Sequence, residues 1–199
     1  MVLEIKPKEE KNSLTYIIQN FVVKARLPIE DKLDLTLLDK ELNNSQYNSN
    51  RFPGLFIRFK NPKCVIIVFR NGKLVLTGLK SSKDIELVMK KLIIKLEEIK
   101  TIRILKKKIE YEIVNIVVTA NFFREIDLDA ATIKLRNSIY EPEVFPGVIY
   151  NSPTSIKSVF LIFSTGKIVV TGLRNEETIE SILVSFGRLL KEEDLFKKS

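Results

Sequence analysis

The side chains that most often carry enzymatic chemistry are nearly absent from this chain. It has no histidine and a single cysteine, Cys64, which removes imidazole acid–base catalysis, Ser-His and Cys-His nucleophiles and His-containing metal sites together. One thiol leaves no basis for zinc or for an internal disulfide framework, and it fits a reducing compartment. Cys64 itself, next to an apolar strand pattern, reads as a small core residue. Asn71-Gly72-Lys73 reads as a hairpin turn, not a phosphate-cradling loop. Asp127 and Asp129 read as charges at a helix start, not a catalytic pair. No enzyme, no metal and no cofactor is therefore expected. What remains is non-covalent chemistry, and it comes in matched sets: the amides of Asn20 and Asn115, the hydroxyls of Thr77 and Thr171, and the rings of Phe52, Phe69, Phe145 and Phe163.

Cations form the other reservoir. The 199 residues carry 33 Lys+Arg and 25 Asp+Glu, a net charge of +8. Residues 1–104 hold 20 of the cations and 12 of the acids, so the whole excess lies in the first half. Such a half points to a polyanion, because each neutralised phosphate releases counterions; a solvated lysine-rich helix face is the competing reading. At 45 % hydrophobic and 29 % charged residues the composition is that of a folded protein. No apolar run reaches membrane-spanning length, and the first twelve residues lack a secretory core.

The matched sets reflect a duplication. IIQNFVV at 17–23 returns as EIVNIVV at 112–118, and QYNSNRFPGLF at 46–56 returns as IYEPEVFPGVI at 139–149. VIIVFRNGKLVLTGLK at 65–80 returns as VFLIFSTGKIVVTGLR at 159–174, with 8 identities in 16 positions. The offset stays between 93 and 95 residues, so the unit is about 90 residues long and not a short solenoid period. The division expected is a tail at 1–12, repeats at 13–104 and 105–194, and a tail at 195–199.

Each repeat predicts the same elements. A β-branched strand (15–24; 112–119) precedes a short helix (33–42; 128–135) and a strand opened by Phe-Pro-Gly (55–59; 148–150). An apolar strand then ends in Phe69 or Phe163, and a Gly-bearing turn leads to a return strand (73–77; 167–171) that stops at Gly78 or Gly172. A closing helix carries Ile85, Val88, Met89, Leu92, Ile93, Leu96 and Ile99 on one stripe, entered through a Ser81-to-Asp84 capping box. Its counterpart carries Ile179, Ile182, Leu183, Phe186 and Leu190, entered at Asn175-Glu176-Glu177.

Two helices per unit cover one face of a five-stranded antiparallel sheet, so the other face should be polar. It is not. Leu74 and Leu76 alternate with Val75 and Thr77, and Ile168 and Val170 with Val169 and Thr171; Val22 and Val117 share a side with Asn20 and Asn115. Either the sheet is buried on both faces, or a large Val/Thr/Asn surface is left open for a ligand. The minor groove of A·T-rich DNA suits that surface, since its floor offers only acceptors between sugar walls. Phenylalanines at strand ends can then act as wedges that unstack base steps.

These residues resemble the TATA-box-binding protein family in its short archaeal form. The motifs are YEPEVFPGVIY at 140–150, FLIFSTGKIVVTGLR at 160–174, IVNIVVTA at 113–120 and their first-copy partners, and the resemblance spans about 14–192. That family is itself a standard case of minor-groove kinking. The resemblance implies an α+β fold: two pseudo-symmetric repeats in a saddle-shaped, ten-stranded antiparallel sheet with helices on the convex face. It implies intercalation by Phe52, Phe69, Phe145 and Phe163, and groove contacts from Asn20, Asn115, Thr77, Thr171, Val22, Val75, Val117 and Val169. Phosphate contacts would come from Arg58, Lys73, Lys80, Lys167 and Arg174, and contacts to transcription factor B from Glu141 and Glu143. The implied function is a general initiation factor that binds and bends double-stranded A·T-rich promoter DNA as a monomer. It would recruit transcription factor B and, indirectly, RNA polymerase, in the nucleoid of a cell without a nucleus; a dimer off DNA stays open.

The chain also departs from the family pattern. Lys24 stands where Thr or Ser is usual, Asn151 replaces an arginine, residues 152–158 carry one extra residue, and 47–51 lack an acidic pair. These departures motivate the alternative of a divergent paralogue, a protein-interaction module with weak or altered DNA binding.

Overall fold

The computed structural model describes residues 3–4, 14–99, 102–105, 107 and 109–197; the rest of the two predicted tails lies largely outside them. In chain order the strands are β1 (Leu3–Glu4), β2 (Thr15–Arg26), β3 (Ser45–Gln46), β4 (Gly54–Lys60), β5 (Lys63–Phe69) and β6 (Lys73–Leu79). They continue as β7 (Tyr111–Asn121), β8 (Ser138–Ile139), β9 (Val148–Asn151), β10 (Val159–Ile162) and β11 (Lys167–Leu173). The helices are α1 (Leu35–Glu41), α2 (Lys83–Glu97), α3 (Leu128–Lys134) and α4 (Ile179–Glu192), the last preceded by a 3₁₀ turn at Glu176–Thr178. The chain forms two compact units, Asn20–Val114 and the combination of Met1–Gln19 with Asn115–Ser199. They are called here the first-repeat and second-repeat units.

In the first-repeat unit the antiparallel order is β3-β4-β5-β6-β2. In the second-repeat unit it is β8-β9-β10-β11-β7, and β1 pairs with Thr15 and Tyr16 of β2. One parity of each array forms the core. Leu55, Ile57, Phe59, Cys64, Ile66, Val68, Leu74 and Leu76 are buried in one unit, and Val148, Tyr150, Phe160, Ile162, Ile168 and Val170 in the other. Helix α2 buries Ile85, Val88, Met89, Leu92 and Leu96, five of the seven residues expected on its stripe, while Ile93 and Ile99 are only half-buried. Helix α4 lays Phe186 on Phe160 at 4.1 Å between ring centroids and on Tyr150 at 5.9 Å. At the chain's end Leu195 is buried, and Phe196 bridges Ile126 and packs its ring on Phe122.

Helix starts divide by cap chemistry. Asp34 has extended dihedrals and accepts from the N–H groups of Thr36 and Leu37; Asp127 does the same for Ala130, the role the sequence assigns it. The expected Ser81-to-Asp84 capping box does not form. Helix α2 begins at Lys83, and Ser82 at its cap is already helical (φ −61°, ψ −30°), so no hydroxyl reaches back to the first-turn N–H groups. Asp84 and Glu86 in that first turn supply the favourable charge instead.

The return strands do not stop at glycine, as the sequence reading expects. They run through Gly78 to Leu79 and through Gly172 to Leu173, and the pairing register shifts at each point. Both glycines have left-handed φ, +98° and +93°, which makes each a bulge inside its strand rather than a terminator.

Candidate nucleic-acid interface

The parity of each sheet that faces away from the core is left open. Gly54 apart, every residue of that parity in β4–β6 and β9–β11 is half-buried or exposed. Val22, Val75, Val117 and Val169 are all half-buried. Burial of the sheet on both faces, the competing reading of its all-apolar strands, is therefore excluded for the described residues. In the second-repeat unit an open groove of about 730 Å³ is lined by Ile17, Thr119, Asn121, Phe163, Lys167 and Val169, among others.

The bulges orient the paired amides. A bulge frees the glycine N–H from the strand ladder, and it needs an acceptor. The Gly78 N–H donates to Asn20 Oδ1 at 2.6 Å, and the Gly172 N–H donates to Asn115 Oδ1 at 2.7 Å. A main-chain N–H can only donate, so each amide oxygen is fixed and Nδ2 points the other way. One Nδ2 hydrogen goes to Thr77 Oγ1 or Thr171 Oγ1, 3.1 Å in both units. The other has no partner among the described residues. Each Asn–Thr–Gly group thus keeps its amide oxygen occupied, with the Thr hydroxyl also within donating distance of it at 3.3 and 3.2 Å, and leaves one Nδ2 hydrogen to donate to a ligand. A side chain at either glycine would break this: a Cβ on Gly78 would lie 3.3 Å from Cys64 Cα, and one on Gly172 2.9 Å from the Lys157 carbonyl. Sequence reading named the Asn and Thr but missed the glycine that aims them; the repeated Thr-Gly-Leu was the available signal.

The four phenylalanines form two pairs at strand ends. Phe52 and Phe69 have centroids 5.9 Å apart, and Phe145 and Phe163 5.7 Å. Phe52 is 37 % exposed, and the other three rings are half-buried rather than in the core. The glycine of each Phe-Pro-Gly lies beneath its pair. A Cβ on Gly54 would come within 2.7 Å of the Phe52 ring and 3.2 Å of the Phe69 ring; one on Gly147 would meet Phe145 at 3.0 Å and Phe163 at 3.2 Å. Only a residue without a side chain lets both rings lie over the backbone.

Around this kernel, Arg58, Lys73, Lys80, Lys167 and Arg174 are all exposed, and Arg58 reaches over the Phe56 ring at 5.9 Å. Glu141 and Glu143 are exposed beside Val144, which is 80 % exposed, in a turn closed by the Val144 and Phe145 N–H groups on the Glu141 carbonyl. Asn48 closes the matching turn of the first repeat, its carbonyl accepting from Arg51 and Phe52. Lys24 is exposed on the open face opposite Val75. Cys64 is buried, and burial pushes its thiol up to about 11, with Asp84 adding to the rise and Lys91 opposing it. Among the described residues no group of three or more Cys, Asp or Glu could hold a metal ion, and no helix is long and apolar enough to cross a membrane.

Comparison with known proteins agrees with this geometry. The family model described as transcription factor TFIID, or TATA-binding protein, matches residues 15–99 and 110–193. The TATA-box-binding protein of Aeropyrum pernix is 39 % identical over 177 residues, covering 89 % of this chain and 85 % of that protein. That of Pyrobaculum neutrophilum is 37 % identical, covering 89 % and 88 %. The solved structure of Methanococcus jannaschii TBP is similar with a TM-score of 0.80 and 37 % identity, over 89 % of this chain and 98 % of that one. The chain belongs to the TATA-binding protein family of transcription factors.

Proposed function

We propose that this chain binds A·T-rich promoter DNA through the minor groove, bends it, and presents the complex to transcription factor B and through it to RNA polymerase. One observation carries the reading: in each unit, an uncovered Val-lined sheet face bears an Asn whose amide oxygen is occupied and whose free Nδ2 hydrogen is left to donate. Adenine N3 and thymine O2 only accept hydrogen bonds, and both match such a face. The guanine amino group donates, so a G·C pair sets donor against donor. The valines lie against sugar walls and floor without asking for polar partners.

The paired rings supply the bend. Each pair enters a base step, and the unstacking cost of a few kcal/mol per step is offset by the wider contact the kinked duplex allows. Arg58, Lys73, Lys80, Lys167 and Arg174 meet phosphates. The exposed Glu141-Pro142-Glu143-Val144 turn offers carboxylates to basic residues of transcription factor B. The matching turn of the first repeat, with Asn48 and Arg51, offers none, so only one end of the complex recruits that factor.

The test is gel-shift titration at fixed salt on an A·T-rich duplex and a G·C-scrambled one, with donor and acceptor dyes at the duplex ends. Tenfold or greater preference for the A·T duplex, with shortening of the end-to-end distance, is expected. Equal affinity for both duplexes, or binding with no shortening, overturns the proposal. Light scattering adds a second reading: a dimer that persists at saturating duplex favours the protein-interaction paralogue.

A further inference from the structure

We propose that Lys24 and Arg26, together with Lys73, form a phosphate-binding edge that only the first repeat possesses. The first repeat would then hold the duplex by more charge than the second, which among the expected phosphate contacts has Lys167 and Arg174 alone for that role. This rests on the DNA-binding reading above and adds a site to it.

The register makes the comparison exact in position. Lys24 lies opposite Val75 and Arg26 opposite Lys73; the matching pairs in the other unit are Thr119 with Val169 and Asn121 with Lys167. Residues paired across strands share a face, so Lys24 and Arg26 stand on the open face with Val75 and Lys73. Both are exposed, and neither has an acidic partner among the described residues. Their counterparts are engaged by the protein's own groups. Thr119 Oγ1 accepts from Gln19 Nε2 at 2.8 Å, and Asn121 Oδ1 accepts from the Phe123 N–H at 2.9 Å. Where the second repeat satisfies these positions internally, the first leaves two cations unsatisfied.

Arg26 and Lys73 are also like charges directly opposed, an arrangement that costs stability in the free protein. An anion between them reverses the sign of that interaction. A duplex backbone is the anion that the adjoining face calls for, since it presents a charge about every 1.7 Å along its axis. A third position follows the same rule: Arg58 opposite Val65 is matched by Asn151 opposite Val159. Three of the eight excess charges of residues 1–104 thus lie on the open face, and the lysine-rich helix face is a separate feature.

The experiment is the salt dependence of binding by the full chain to the A·T-rich and G·C-scrambled duplexes between about 50 and 400 mM KCl. Each phosphate contact adds about 0.9 to the slope of log K against log salt. The variant K24T/R26N, which installs the second repeat's residues, should lower that slope by about 1.8. K83Q/K90Q, which removes the same charge from exposed positions of α2, should lower it by less than about 0.5. R26N alone should raise the melting temperature of the free protein while weakening its binding to DNA. An unchanged slope in K24T/R26N, or an equal fall in K83Q/K90Q, overturns the site even if A·T preference persists. A wild-type chain without A·T preference overturns the minor-groove reading instead, and the slope, measured on either duplex, still decides this one.

Discussion

In the first-repeat unit Asn20 holds the Gly78 N–H at 2.6 Å and Thr77 at 3.1 Å; in the second, Asn115 holds the Gly172 N–H at 2.7 Å and Thr171 at 3.1 Å. The ring pairs match as closely, at 5.9 and 5.7 Å. A few residues away the likeness ends. Lys24, Arg26 and Arg58 of the first copy are replaced by Thr119, Asn121 and Asn151 in the second, and a turn built on Asn48 and Arg51 by one carrying Glu141 and Glu143. Duplication has kept the groups that would meet the groove floor and its end steps, where the two halves of a duplex are alike. It has kept the matched cations Lys73/Lys167 and Lys80/Arg174 but not those at Lys24, Arg26 and Arg58, nor the charge of the two exposed turns.

Removing rings should have the largest effect, and an equal one in the two halves. Phe52→Ala/Phe69→Ala and Phe145→Ala/Phe163→Ala should each weaken A·T-duplex binding by about 2 kcal/mol or more and lose about half of the end-to-end shortening. A bend that survives one pair's removal intact would break the comparison.

The amides come next. Asn20→Ala or Asn115→Ala leaves a glycine N–H without its acceptor, costing about 1–3 kcal/mol of stability. Asp at the same positions keeps an acceptor for that N–H but removes the Nδ2 donor. Asn20→Asp should therefore fold nearly as well as the parent and lose about 1–3 kcal/mol of A·T-over-G·C discrimination. Denaturant melts and paired titrations separate the two roles.

Gly78→Ala and Gly172→Ala sharpen the comparison further. Both place a side chain at positive φ, which costs on the order of 1–2 kcal/mol. Gly172→Ala should be the more destabilising, because its Cβ meets the Lys157 carbonyl at 2.9 Å against 3.3 Å to Cys64 Cα for Gly78→Ala. Equal melting temperatures would contradict that ranking.

Cys64 sets the smallest effect. Its thiol is raised from 9.0 to about 11 chiefly by burial, so the folded state holds a proton that the unfolded state releases. That contribution is complete below pH 9 and is lost as pH rises through 11. Native protein at pH 8 should resist alkylation at Cys64 and react once denaturant is added.

How much of this could be read from residues alone follows from what kind of force sets each feature. The four longer strands of each repeat, most of the helical stripes and the helix capped by Asp127 follow from periodicity and cap chemistry, and the structure places them within a few residues of the sequence reading; β1, β3 and β8, two residues each, are too short to show a period. The open sheet face was legible as a contradiction: both parities apolar, with too few helices to cover both. The bulges were not legible. Gly78 and Gly172 look like strand ends because glycine weakens strands, and only the register shows the pairing resuming beyond them. The Ser81-to-Asp84 motif misled for a similar reason, since a capping box depends on the cap residue's dihedrals and not on spacing alone. Arg26 carries no signal of its own in the sequence, because its meaning lies in its opposition to Lys73, a relation two strands create.

If a minor groove fills the open face of each unit, the guanine amino group alone should exclude a G·C duplex. This is tested most directly by replacing every A·T pair of the preferred duplex with inosine·cytosine, which keeps the minor-groove acceptors, omits the guanine amino group, and presents a G·C-like major groove. The expected affinity is within about threefold of the A·T duplex and about tenfold or more above that of the matching G·C duplex. An inosine duplex bound no better than G·C would place the contact outside the minor groove and contradict this reading.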